Sequence, residues 1–126
     1  MFIDGEWVDA RSGKTFDVTN PATGELLGSA PAGEPEDAVA AIDAAHASFS
    51  DWANTTAYER SRLLYRAWQL MTERSEMLAQ LMTAEQGKPL KAARAEVNYA
   101  ADFLIWFAEE AKRVNGEWLP SQRPDQ

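Results

Sequence analysis

Residues 97–108 read VNYAADFLIWFA, and how this run is covered decides the fold. At about 100° per residue, Val97, Tyr99, Ala100, Ala101, Phe103, Leu104, Ile105, Trp106, Phe107 and Ala108 wrap apolar surface around nearly the whole circumference of a helix. A helix apolar all round is buried on several sides. The pattern predicts a helix over 90–114, because Lys112 and Arg113 suit the negative end of its dipole and Gly116 supplies a stop. Tyr99, Phe103 and Trp106 share one face of that helix. The plain reading of such a row is core; the functional one is the wall of an apolar channel, with Tyr99 adding a polar contact.

Upstream, Gly87 followed by Pro89 ends a shorter amphipathic piece carrying Met77, Leu78, Leu81 and Met82. A break at 73–75 separates it from a helix bearing Leu63, Leu64, Ala67, Trp68 and Met71. That helix opens on Thr56-Ala57-Tyr58-Glu59, a capping box in which the threonine oxygen and the glutamate satisfy each other's backbone amides. Pro35, with Glu34, Glu36 and Asp37 at the positive end of the dipole, predicts a further helix over 35–49. Its Val39, Ile42, Ala45 and Phe49 are expected to face the core, and Ser50-Asp51-Trp52 to end it with the indole turned the same way. The first 30 residues read as two hairpins. Phe2-Ile3 and Trp7-Val8 flank Asp4-Gly5-Glu6, and the alternating 15–19 segment meets Leu26-Leu27 across Asn20-Pro21-Ala22-Thr23-Gly24. After Gly116 the chain opens a possible strand and ends in a polar, proline-containing tail. The expected class is α+β: two N-terminal β-hairpins followed by three to four helices, residues 1–120 forming one unit and 121–126 a tail.

The 126 residues hold 12 Lys plus Arg against 20 Asp plus Glu, a net charge of −8, and no cysteine. Disulfides, thiolate metal sites and a cysteine nucleophile are therefore excluded on these residues. Scattered basic residues in an acidic chain argue against nucleic acid and anionic membrane partners. The acidic N-terminus and the absence of an apolar run of about 20 residues give a soluble, cytoplasmic protein as the expectation. His46, three residues after Asp43, is one imidazole where a metal site needs several ligands, so no metal is expected. Glu109 and Glu110 point about 100° apart on a helix and, like Glu85 and Glu96, read as solvated charge. Neither a G-x-G-x-x-G nor a phosphate loop occurs, since Pro89 removes an amide after Gly87-Lys88.

Taken in order, FIDGEWVDA (2–10), NPATGE (20–25), SFSDW (48–52), MTAEQGKPLKAARAEV (82–97) and YAADFLIWFAEEAKRVNGEWLP (99–120) resemble the N-terminal segment of the NAD(P)-dependent aldehyde dehydrogenase superfamily. Within it they are most similar to the succinate-semialdehyde dehydrogenase branch. The resemblance covers about residues 2 to 120 and implies part of an α/β fold whose Rossmann-like sheet comes from other residues. It implies oxidation of an aldehyde such as succinate semialdehyde through a cysteine thiolate, hydride transfer to NAD or NADP, and thioester hydrolysis by glutamate-activated water. Those groups have no counterpart here, so no catalytic, cofactor-binding or metal residue is carried over, and this chain alone is expected to be inactive. The implied partners are the remainder of the enzyme or a homo-oligomer. The last helix is similar to the one lining the family's substrate tunnel, which nominates Tyr99 first, then Phe103 and Ala95. The alternative reading is a stand-alone helical interaction module or a gene remnant. On either reading the long helix lacks cover, so apolar surface is expected to stand open.

Overall fold

The computed structural model describes every residue except Trp118, Asp125 and Gln126. Strands β1 (Phe2–Ile3) and β2 (Glu6–Trp7) pair antiparallel, with Phe2 opposite Trp7 and Ile3 opposite Glu6. Asp4 and Gly5 both take positive φ, 53° and 81°, as a two-residue hairpin turn requires. Glu6 thus lies in the strand, not the turn, and Val8 falls just beyond it. The rings of Phe2 and Trp7 meet at 5.4 Å across the pair.

Strands β3 (Thr15–Thr19) and β4 (Leu26–Pro31) form the second hairpin, with an irregularity between Val18 and Thr19. Its bend is held by Asn20, whose side-chain oxygen accepts from the Ala22 amide at 2.9 Å while its own N–H donates to the Glu25 carbonyl at 2.9 Å.

Helix α1 runs Pro35–Ala53, so Ser50, Asp51 and Trp52 extend it instead of ending it. Its expected inward face is open: Val39, Ile42 and Phe49 are more than half exposed and Trp52 nearly so. The 3.6-residue period was real, but among the described residues this helix is met by β1 and its neighbouring loop and, at its last residue, Ala53, by the Arg60 side chain of the next helix. Asp37 makes the anchor. It is buried, its Oδ2 accepts from the Glu34 amide at 2.9 Å and its Oδ1 from the Arg11 amide at 3.1 Å. These two backbone donors hold its carboxyl below the ordinary aspartate range.

Helix α2 (Ala57–Glu73) opens on the expected capping box: the Glu59 amide donates to Thr56 Oγ1 at 3.2 Å, and the Thr56 amide to Glu59 Oε2 at 2.8 Å. The chain bends at Arg74 into α3 (Ser75–Gln86), which closes on Gly87 at φ 74°. Helix α4 (Leu90–Glu110) then packs along both α2 and α3, and a 3-10 turn at Ala111–Arg113 finishes it short of the expected 114. No strand follows Gly116 among the described residues.

The core lies between α2, α3 and α4. Ala79, Ala93 and Val97 are fully or almost fully buried, with Met71, Leu78, Met82 and Leu90 packed against them. On α4 the buried stripe is Ala93, Val97, Ala101 and Ala108, residues small enough for helix backbones to approach closely. Outside it, Arg94 grips Glu76 with two bonds of 2.8 Å, tying α4 to α3.

That grip, with a bond from Gln80, lowers the Glu76 carboxyl from 4.5 to about 2. A depressed carboxylate contributes stability that is present above its unfolded value and lost as pH falls through its folded one. The pair is half exposed, so its contribution is small. In a carbon-detected NMR titration, Glu76 is expected to hold its charge well below the ordinary glutamate range, and Arg94→Ala to raise its midpoint toward that range. An unchanged midpoint would refute the pairing.

Candidate functional site

The face of α4 opposite its small-residue stripe is aromatic and open. Tyr99 is 64% exposed, Phe103 46%, Trp106 61% and Phe107 54%. The row therefore does not serve as core for the described residues; alanines and Val97 take that place because they permit closer helix packing. Residues four apart meet along the helix. The Tyr99 and Phe103 rings sit edge to face at 4.9 Å, and Phe103 and Phe107 lie nearly parallel at 6.3 Å. Together with Trp106 and Asp102 these rings line a shallow depression of about 360 Å³.

Of the residues singled out in the sequence, Tyr99 and Phe103 come together here. Ala95 is exposed one turn before Tyr99, on the same side of the helix but outside the lining of the depression. Trp106 joins through its place in the row. Phe107 and Asp102 were not nominated. A lone aspartate in an apolar run reads as solvated charge, and only its position three residues after Tyr99 signals that it shares the face.

The remaining candidates are dispersed. His46 and Asp43 are exposed on α1, and no group of three or more His, Asp or Glu able to hold a metal ion forms among the described residues. Glu96 pairs with Lys88, and Glu110 with Arg113 at 2.5 Å, so both are surface ion pairs. Glu85 borders a separate apolar groove beside Leu81 and Met82. No helix among the described residues is long and apolar enough to cross a membrane.

Two of the stretches that carry the family resemblance approach one another closely. A Cβ on Gly87, in the EQGKPL stretch, would stand 3.2 Å from Cγ of Pro21 in the NPATGE bend. The second hairpin is thus seated against the end of α3.

The model of the aldehyde dehydrogenase family matches residues 7–126, and the chain belongs to that family. It is 50% identical to a glutarate-semialdehyde dehydrogenase of Pseudomonas putida, over 98% of this chain and 26% of that protein. It is 49% identical to the NADP(+) succinate-semialdehyde dehydrogenase GabD of Escherichia coli, with the same coverage. Among solved structures, an E. coli NADP-dependent enzyme superposes with a TM-score of 0.94 at 48% identity, covering 98% of this chain and 26% of that one. A betaine aldehyde dehydrogenase from Staphylococcus aureus, in complex with NAD+, superposes with a TM-score of 0.92 at 33% identity, over 98% of this chain and 25% of that one. The chain spans about a quarter of the length of these relatives. Its α+β architecture matches the N-terminal part of their fold.

Proposed function

We propose that these residues form the N-terminal quarter of an NAD(P)-dependent aldehyde dehydrogenase that oxidises a short semialdehyde, such as succinate semialdehyde, to its acid in the cytoplasm. The observation that carries this reading is the open aromatic face of α4 on a unit that matches semialdehyde dehydrogenases at about half identity. In it, α4 is one wall of the substrate channel: Tyr99 and Phe103, with Ala95 beside them, shape the path of the aldehyde's tail and exclude water from it. NAD or NADP, once bound, accepts the hydride. These residues hold neither a cysteine nor a glycine-rich phosphate cradle, so no chemical step is assigned to them. The rest of the enzyme, or a second subunit, covers the α1 stripe and the α4 rings.

A mass-verified preparation of the 126 residues is expected to form no NAD(P)H with succinate semialdehyde, whereas the enzyme completed to its relatives' length is expected to do so. In the completed enzyme, Phe103→Ala is expected to lower kcat/KM about tenfold, the scale of a lost apolar contact in a substrate pocket. Turnover by the 126 residues alone, or none by the completed enzyme with any short semialdehyde, overturns the reading.

A second reading, a helical interaction module, draws on the same open rings. Both readings make the isolated chain bind an apolar dye, and Phe103→Ser and Trp106→Ser are expected to weaken that binding. Only the module gains a protein partner without any aldehyde activity appearing in the completed chain.

A further inference from the structure

A backbone nitrogen can attack the side-chain amide of the asparagine before it. Glycine in the following position favours this most, because a residue without a Cβ leaves the nitrogen unhindered and the chain free to turn into the ring. The chain has four asparagines, and the structure treats them differently. Asn20 precedes Pro21, which has no N–H to supply the nucleophile. Asn54 precedes the β-branched Thr55, whose N–H donates to the Trp52 carbonyl at 3.1 Å, and its own side-chain nitrogen donates to the Ser50 carbonyl at 2.9 Å. Asn98 lies inside α4, so the Tyr99 N–H is committed to the helix ladder and the backbone is held away from ring closure.

Asn115 alone precedes a glycine. It lies past the 3-10 turn at Ala111–Arg113, outside helix and strand, and both it and Gly116 are exposed. Its N–H donates to the Arg113 carbonyl at 2.8 Å. That bond fixes neither χ1 nor ψ of Asn115, the torsions that bring the Gly116 nitrogen to Cγ.

We propose that Asn115 is a site of spontaneous modification in this chain, an intramolecular deamidation that converts it to aspartate and isoaspartate. The Gly116 amide nitrogen attacks Asn115 Cγ. The new C–N bond closes a succinimide, the Cγ–Nδ2 bond breaks, and ammonia leaves with the proton given up by Gly116. Water then opens the ring. Attack at the side-chain carbonyl gives aspartate, and attack at the main-chain carbonyl gives isoaspartate, in which the backbone runs through the former side chain. Either product adds a negative charge two residues beyond the Glu110–Arg113 ion pair, near the negative end of the α4 dipole, where a carboxylate is unfavourable. Isoaspartate also lengthens the backbone where α4 passes to the residues that follow. None of this depends on α4 being a channel wall.

The test follows the 126-residue chain through prolonged incubation in mildly alkaline buffer, each asparagine being read by peptide mapping and mass spectrometry as an amide replaced by an acid. Asn115 is expected to convert at least about tenfold faster than Asn20, Asn54 or Asn98, a gap equivalent to about 1.4 kcal/mol of barrier. Gly116→Val crowds the nucleophile and is expected to slow conversion at 115 by about tenfold or more. The fold accepts that valine, because Gly116 does not take a positive φ and, among the described residues, nothing stands within 4 Å of where its Cβ would be. Gly116→Pro removes the attacking N–H and is expected to abolish the reaction. In guanidinium chloride at an unfolding concentration, Asn98 is expected to speed up as α4 opens, while Asn115 changes little.

Conversion at Asn115 no faster than at Asn98 overturns the proposal, as does a rate that Gly116→Val leaves unaltered. A large acceleration of Asn115 in the denaturant overturns it too, because the fold would then be guarding the site.

Discussion

Ala93→Leu is expected to speed amide exchange across α3 and α4 by about fivefold to 150-fold, while the same substitution two residues on, Ala95→Leu, changes it little. Ala93 has no exposed surface and sits with Ala79 and Val97 in the buried cluster between the helices. Three added carbons have nowhere to go there, and overpacking a filled core costs about 1–3 kcal/mol. Ala95 is exposed, where a substitution is worth within about 0.5 kcal/mol. Hydrogen exchange suits this comparison because it resolves local opening, and a unit with so much uncovered apolar surface is expected to unfold with weak cooperativity. The amides of Val97 and Ala101 are the reporters. Equal effects of the two leucines would mean that α4 does not bury the face described.

Gly87→Ala is expected to cost about 1–3 kcal/mol, for two separable reasons. At φ 74° any L side chain is strained by about 1–2 kcal/mol. The added methyl would also stand 3.2 Å from Pro21 Cγ, so the bend of the second hairpin has to give. Gly24 isolates the first reason, since it has the same φ of 74° but nothing within 4 Å of the place a methyl would occupy. Gly24→Ala is therefore expected to cost less than Gly87→Ala, and Pro21→Ala to relieve part of the Gly87→Ala penalty in a double-mutant cycle. Equal costs at the two glycines, with no coupling to Pro21, would show that the hairpin is not seated on α3.

Both experiments probe relations between distant residues, and these were the features least legible in the chain. Thr56 with Glu59, Asp4 with Gly5, and Gly87 before Pro89 announced a helix start, a turn and a helix stop, because capping and positive-φ chemistry act within a few residues. Asp37 was legible only in part. Its place in the first turn of a helix was evident, but its bond to the Arg11 amide joins residues 26 apart. The extension of α1 through Trp52 was hidden because Ser50 and Asp51 are common at helix ends, and nothing local reveals that the backbone continues to bond.

By itself, the amino-acid sequence determined the order and type of the elements, the apolar excess of α4 and the family to which the residues belong. Hydrogen bonds to near neighbours and side-chain periodicity suffice for the first two, and a string of turn and cap motifs for the third. Only the tertiary structure decided which side of α4 turns inward. Periodicity counts apolar area, whereas packing selects for shape, and Ala93, Val97 and Ala101 allow an approach to α2 and α3 that Tyr99, Phe103 and Trp106 forbid. That choice is what leaves the rings and Asp102 together on the open side.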